Sequence, residues 1–138
     1  MEAEKMQIYQ VKEAKLELIE KFMEKNGTLF GKKLTKESYV VEINGSMEGC
    51  FNLDMVDEST YWLKQLYLNK EHVEKLFVVF ESVLVISRKN NVKCVYVHNQ
   101  SPVVDILLES LQFKRESDVT FKNINSEKTG NWWAYQVS

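Results

Sequence analysis

The sequence is poor in the residue types that build metal centres and disulfide frameworks. It contains two cysteines, Cys50 and Cys94, and two histidines, His72 and His98, among 138 residues. These four residues show neither the spacing nor the clustering of a zinc site or a redox motif. We therefore expect no metal cofactor, and we interpret the cysteines as buried thiols of a cytosolic protein.

Long apolar runs and an excess of one charge are also missing. The 18 basic and 20 acidic residues give a formal net charge of −2, whereas a general nucleic-acid binder shows a basic excess or a basic face. The first ten residues, MEAEKMQIYQ, lack the apolar core of a signal peptide. No apolar stretch approaches the roughly 20 residues that span a bilayer. We therefore expect a cytoplasmic protein without nucleic-acid or membrane partners.

Glycine is scarce, and its distribution is informative. None of the five glycines lies between Gly49 and Gly130. A backbone that closely approaches phosphate oxygens usually needs glycine, because any other residue places a Cβ in the way. The strand-to-helix junction LYLNKEHVEKLF at 66–77 therefore has no glycine-rich phosphate loop.

The residues that are present are typical of a single globular domain spanning 1–138. Hydrophobic residues make up 44% of the chain and aromatic residues 12%, which is enough for a substantial core. Neither an internal repeat nor a low-complexity linker divides the sequence.

Hydrophobic periodicity predicts the element order β-α-β-β-β-α-β-α-β-β. The predicted strands are 6–12, 38–45, 46–56, 61–68 and 92–99, with two more in 113–124 and 131–138; the predicted helices are 13–27, 69–91 and 101–112. The Asn44-Gly45 pair is a hairpin turn signal. A long helical crossover makes the strands 61–68 and 92–99 parallel. The expected fold class is α+β, with a mixed, mostly antiparallel sheet.

Three segments resemble the GNAT superfamily of N-acetyltransferases in their order and spacing. They are LKQLYLNKEHVEKLF at 63–77, SRKNNVKCVYVHN at 87–99 and SPVVDILLESLQF at 101–113, and the resemblance covers nearly the whole chain. It implies a GNAT-like fold in which acetyl-CoA lies between two splayed strands and an amine is the acceptor. The cofactor-binding residues that it implies are Leu66, Tyr67, Leu68, Lys70, His72, Lys75 and Asn99.

The sequence departs from the GNAT pattern at the loop that binds the cofactor pyrophosphate and at the position of the general acid. The two glycine positions of the pyrophosphate loop carry Val73 and Lys75. Asn69, with Glu71 in the first turn, is expected to close the helix start internally. The position of the general-acid tyrosine carries Leu108, which has no proton to donate. The sequence therefore predicts a degenerate acyl-CoA loop.

Gln65 and His98 are the candidate catalytic residues. Gln65 could hydrogen-bond an acyl group or an amine, although a polar residue on a half-exposed strand gives the same pattern. His98 lies near the end of an apolar strand, where open α/β sheets bind ligands, and a histidine there could act as a base. The hairpin carboxylates that could instead deprotonate an amine are Glu42, Glu48 and Asp54.

Two functions remain open. One is a GNAT-like binding or assembly module that is weakly active or non-catalytic, which the glycine-free loop and the missing tyrosine favour. The other is an acetyl-CoA-dependent N-acetyltransferase, since acyl transfer can depend on positioning and carbonyl polarisation alone. Adjacent strand residues point to opposite faces, so one ring of Trp132-Trp133 is expected to point outward, where it could take part in a homodimer.

Overall fold

The computed structural model describes residues 5–30, 34–116 and 130–137, without the side chains of 27–30. Two 3₁₀ helices, Val11–Glu13 and Lys70–Lys75, precede the first and second α-helices. The α-helices are α1 (Leu16–Phe30), α2 (Leu76–Lys89) and α3 (Pro102–Ser110). The strands are β1 (Met6–Gln10), β2 (Tyr39–Ile43), β3 (Ser46–Asp57), β4 (Thr60–Leu68), β5 (Cys94–Asn99), β6 (Lys114–Glu116) and β7 (Asn131–Gln136).

The strands form one mixed sheet in the order β1-β2-β3-β4-β5-β7-β6. β4 and β5 pair in parallel, with Thr60 opposite Cys94 and Leu63 opposite Val97. The pairs β1–β2, β2–β3, β5–β7 and β6–β7 are antiparallel. The predicted α+β class, with a mixed and mostly antiparallel sheet, is confirmed.

The chain divides into two compact units. Unit 1 comprises Met1–Leu53 and Gln65–Leu76, and unit 2 comprises Asp54–Lys64 and Phe77–Ser138. β3 and β4 each contribute residues to both units. That residues 1–138 form one domain stays a prediction.

The core of unit 1 lies against α1. The apolar residues of this helix recur at three- and four-residue steps, so they share one face and pack together. The buried cluster comprises Phe22, Val40, Met47 and Cys50, with Leu18, Ile19, Met23 and Tyr67 partly buried against it. The hairpin that joins β2 to β3 turns at Asn44 and Gly45, whose φ angles are 51° and 85°. Positive φ at both central residues is the geometry that the Asn-Gly signal predicted.

Unit 2 is organised by α2 and α3. Val79, Phe80 and Val83 of α2 are buried, and the Phe80 ring meets the Phe113 ring edge to face at 6.3 Å. Pro102 begins α3, and the Ser101 hydroxyl accepts a hydrogen bond from the Val104 amide at 3.4 Å. On β7, Trp133 is 3% exposed, whereas Trp132 is only partly buried. The predicted split of the two rings between opposite faces is therefore confirmed.

The helix predicted at 69–91 is shorter and has two parts. Its first part is the 3₁₀ segment Lys70–Lys75, in which His72 has non-helical angles of φ −119° and ψ 21°. A 3₁₀ turn and an α turn repeat at similar spacing, so periodicity did not separate them. Residues 117–129, which hold most of the strand predicted in 113–124, lie outside the described residues. No helix in the described ranges is long and apolar enough to cross a membrane.

Candidate functional site

β4 is continuous from Thr60 to Leu68, but its backbone is irregular at Gln65. We call this irregularity the break. Gln65 has φ 55°, a left-handed conformation that side-chain-bearing residues seldom adopt. The Gln65 side chain is fixed by the neighbouring strand, since its Oε1 accepts a hydrogen bond from Asn52 Nδ2, while Asn52 Oδ1 accepts one from the Ser38 hydroxyl. This chain of polar contacts stabilises the break. Residues held in such strained conformations often lie at functional sites.

Leu66, Tyr67 and Leu68 follow the break and pack closely on β3. A Cβ built on Gly49 would lie 2.4 Å from the Tyr67 carbonyl oxygen and 3.0 Å from Leu68 Cδ1. Only glycine lets the two backbones approach this closely. The Tyr67 ring meets Phe22 edge to face at 6.1 Å, and its hydroxyl lies 3.3 Å from Asn26 Oδ1. The tyrosine hydroxyl is therefore directed at α1.

Contacts with β3 cap the first turn of the 3₁₀ segment Lys70–Lys75, which follows β4. We call this arrangement the closure. The Asn69 amide donates to the Glu48 carbonyl oxygen at 2.8 Å, and Asn69 Nδ2 donates to Glu48 Oε1 at 3.0 Å. The same carboxylate oxygen lies 3.7 Å from His72 Nε2. Asn69 Oδ1 accepts from the Glu71 amide at 3.5 Å, and the Asn69 carbonyl accepts from the His72 amide at 2.8 Å. The internal cap that the sequence predicted is present.

The electrostatics of this segment do not favour an anion. Lys70 and Lys75 are accompanied by Glu71, Glu74 and the Glu48 carboxylate beside the cap. The α-helix begins only at Leu76, so the amides of 70–75 are not aligned as the first turn of an α-helix would align them. Val73, at a glycine position of the expected loop, is 61% exposed. A diphosphate placed here would meet side chains and carboxylates.

No protein-family model and no curated protein matches the sequence. Solved structures do match. An acetyltransferase from Streptococcus agalactiae superposes with a TM-score of 0.68 at 12% identity, covering 95% of this chain and 98% of the other. An acetyltransferase of the GNAT family from Staphylococcus aureus gives a TM-score of 0.66 at 13% identity over 97% and 100% of the two chains.

The chain has the GNAT N-acetyltransferase fold. A larger protein shares it: N-acetylglutamate synthase from Neisseria gonorrhoeae, complexed with coenzyme A and N-acetyl-glutamate, has a TM-score of 0.66 at 11% identity. That match covers 100% of this chain and 36% of the synthase. At these identities the likeness concerns the fold, and the resemblance seen in the three sequence segments is confirmed at that level.

On α3, Leu108 is a packing residue, with 0% of its surface exposed. The resemblance aligns it with the general-acid tyrosine, and that alignment stays a prediction. Ser101 caps the same helix. Leu108 and Ser101 therefore stabilise the fold through burial and capping.

His98 lies in an aromatic cluster of unit 2. Its ring is 5.0 Å from the Trp132 ring, which is in turn 5.6 Å from the Trp62 ring. The Lys64 ammonium lies 4.6 Å from the centre of the Trp62 ring and 2.7 Å from Asp54 Oδ2. These contacts place His98 beside aromatic rings, and they pair Asp54, one of the candidate bases, with a lysine.

Asn99 belongs to a hydrogen-bonded network centred on Asp105 of α3. Asn99 Nδ2 donates to Asp105 Oδ1 at 2.8 Å, as does Trp133 Nε1 at 2.8 Å, and Asn131 Nδ2 donates to Oδ2 at 2.9 Å. Burial alone would raise the pKa of the Asp105 carboxyl, but these bonds and the Arg115 charge outweigh it and hold the pKa below its usual value. The network attaches α3 to the ends of β5 and β7.

Sequence reasoning missed Asp105, which has no motif of its own. One signal was available, because an acidic residue in the first turn after Ser-Pro can accept hydrogen bonds from a preceding asparagine. With Asn99 committed to Asp105 and to the Ser101 carbonyl at 2.7 Å, its amide nitrogen is already saturated. Its assignment to the cofactor stays a prediction.

Both cysteines are free and buried, as predicted. Burial raises the pKa of the Cys50 thiol to about 12 and also raises the pKa of Cys94, which makes both poor nucleophiles. Among the described residues, no group of three or more histidine, cysteine, aspartate or glutamate side chains could hold a metal ion.

The predicted site residues separate into two groups. Unit 1 holds Gln65 together with Leu66, Tyr67, Leu68, Lys70, His72 and Lys75. Unit 2 holds His98 and Asn99. Within unit 1, the backbone after the strand break runs directly into the closed helical segment.

Proposed function

We propose that this chain is a GNAT-fold binding module that does not hold acetyl-CoA at the start of the 3₁₀ segment Lys70–Lys75. The closure of that start by Asn69 and Glu48 supports the proposal. A helix start binds phosphate when its N–H groups are free and a positive partial charge faces the ligand. Here the first N–H groups are directed at Asn69, and a carboxylate lies 3.0 Å from the cap side chain. The residues that would hold the diphosphate do not fit it.

The stereochemistry of the segment adds a second obstacle. Each position from Lys70 to Lys75 carries a side chain, including the branched Val73. A Cβ at the glycine positions keeps phosphate oxygens away from the amides. The two lysines could attract an anion, but the carboxylates of Glu48, Glu71 and Glu74 oppose them. This module is therefore assigned a role in binding or assembly, with weak or no acyl transfer.

The test is a titration of the full chain with acetyl-CoA and with coenzyme A, followed by thermal unfolding. A ligand present at 100 times its dissociation constant adds about 2.7 kcal/mol to the free energy of unfolding. For a chain of 138 residues, that gain raises the Tm by roughly 10 °C. We expect no shift at millimolar cofactor, and a known GNAT enzyme serves as the positive control. A saturable rise in Tm would contradict the proposal.

The loop itself is tested with the double variant V73G/K75G. Restoring the glycines removes two side chains but leaves the Asn69–Glu48 closure intact, so we expect cofactor binding to remain undetectable. Adding Glu48→Gln removes the adjacent carboxylate charge. If the double variant alone binds acetyl-CoA, the closure is not the obstacle and our reasoning about Glu48 is wrong.

A second candidate function is N-acyl transfer from an acyl-CoA to an amine. The break at Gln65 favours it, because backbone groups beside such an irregularity are often free to pair with a ligand. In this case the backbone of Leu66–Leu68 would pair with the cofactor arm and polarise the thioester carbonyl, and Gln65 would assist the amine. The measurement is thiol release from acetyl-CoA with a panel of amines. The buried cysteines of the native chain contribute little background.

A further inference from the structure

Unit 1 contains a cavity beside α1. Its volume is about 240 Å³, and it lies between the first three turns of α1, the β2–β3 turn and Asn69. Phe22 and Met47, which are buried, and Leu18 supply an apolar floor. A small metabolite fits this space.

Glu48 provides one polar wall of the cavity. Its side chain is 20% exposed, and its two contacts, with Asn69 Nδ2 at 3.0 Å and His72 Nε2 at 3.7 Å, are both made by Oε1. Within the described part of the chain, Oε2 accepts no hydrogen bond from a protein group. A half-buried carboxylate oxygen in a cavity wall is a strong acceptor for a ligand ammonium. It therefore specifies a cationic group at that end of the ligand.

The rim of the cavity carries the opposite charge. Lys21 and Lys25, one helical turn apart on α1, line it and are exposed. Neither forms an ion pair with a residue that the structure describes. Positions i and i+4 lie on the same face of a helix, so both ammonium groups are available to one ligand carboxylate. Glu17, also on the rim, makes no ion pair in the described ranges.

We propose that this cavity binds a small zwitterion with an apolar side chain, of the size and chemistry of an aliphatic amino acid. The ligand ammonium donates to Glu48 Oε2, its carboxylate meets Lys21 and Lys25, and its apolar part lies on Phe22 and Met47. Because Glu48 also closes the start of the 3₁₀ segment Lys70–Lys75, ligand binding is coupled to that segment. The proposal goes beyond the binding module proposed above and does not depend on the outcome of the coenzyme A titration.

The probe is L-leucine, titrated into the ¹⁵N-labelled full chain and followed by the backbone amide resonances. We expect saturable shifts at Phe22, Asn26, Met47 and Glu48. Two analogues each remove one charge: 3-methylbutylamine lacks the carboxylate, and 4-methylpentanoate lacks the ammonium. Each should bind at least tenfold more weakly, because a charged hydrogen bond is lost. Equal affinity for an analogue and leucine, or no saturable shift at about 10 mM leucine, would overturn the proposal.

Variants locate the site. Glu48→Gln and Lys21→Glu should each lower leucine affinity about tenfold or more. The matched controls are Glu24→Gln, an exposed position of α1 outside the cavity wall, and Lys36→Glu, an exposed position beyond α1; both should bind as the unmodified chain does. Lys21 is exposed, so its variant keeps the fold even if Glu48→Gln weakens it. Leucine binding that is unaffected by Lys21→Glu would place the ligand elsewhere and refute the assignment.

Discussion

Replacing Asn69 with alanine tests whether the start of the 3₁₀ segment Lys70–Lys75 is held closed as the structure indicates. The variant loses two interactions at once: the cap to the Glu71 amide at 3.5 Å and the bond to Glu48 Oε1 at 3.0 Å. Loss of an asparagine cap typically costs about 1 kcal/mol. A hydrogen bond to a charged group contributes about 1.5–3 kcal/mol, and partial exposure of Glu48 favours the lower end. We expect the free energy of unfolding to fall by about 2–3 kcal/mol.

The assay is thermal unfolding followed by circular dichroism, where this loss corresponds to a fall in Tm of roughly 7–10 °C. Asn90→Ala is the comparison variant, because Asn90 Nδ2 donates to the uncharged Tyr61 hydroxyl at 2.9 Å; its loss should cost about 0.5–1.5 kcal/mol. Asn69→Asp should recover the cap but not the Glu48 bond, and added salt should reduce its deficit. If Asn69→Ala costs no more than Asn90→Ala, the closure contributes little to stability and does not keep a phosphate from this segment.

Three further variants test the structure away from the cap. Gly49→Ala would place a Cβ 2.4 Å from the Tyr67 carbonyl oxygen, so it should lower the free energy of unfolding by about 1–3 kcal/mol or more. Gly45→Ala, with φ 85° but no atom within 4 Å, should lower it by about 1–2 kcal/mol. If chemical denaturation gives the reverse order, the close approach of β3 and β4 is contradicted. Asp105→Asn should make the free energy of unfolding depend less on pH in the acid range. A carboxyl whose pKa is lowered by folding contributes stability above pH 3.8, its unfolded pKa. That stability is lost as the pH falls through the folded pKa. An unchanged slope of unfolding free energy below pH 4 would show that the Asp105 network does not favour the ionised form.

The element order and the fold class could be read from the sequence because both depend on periodic patterns. The hairpin at Asn44-Gly45 and the cap at Asn69 were also predictable, since each is determined by residues adjacent in the chain. Their geometry was confirmed at the level of single hydrogen bonds and φ angles. Local chemistry was therefore sufficient wherever the partners are neighbours in sequence.

The partners of these local features could not be predicted, because they come from distant parts of the chain. Glu48, which completes the closure at Asn69, lies 21 residues earlier, and Asp105 accepts from Asn131, 26 residues later. The left-handed Gln65 was likewise unpredictable, since it is stabilised by Asn52 on the neighbouring strand. Such pairs meet only when the sheet and the segments packed on it have formed. The cavity beside α1 has no sequence signature, because its walls belong to three separate elements.

The passage of β3 and β4 through both units has a consequence for dissection of the chain. Unit 1 needs residues on both sides of the 54–64 segment, and unit 2 needs that segment as well as everything from Phe77 onward. No single cut of the polypeptide leaves both units complete. A cut after Leu76 keeps every residue of unit 1 in the fragment 1–76 but separates 54–64 from the rest of unit 2. Complementation of a fragment that begins at Phe77 would therefore have to supply the end of β3 and the first half of β4 in trans.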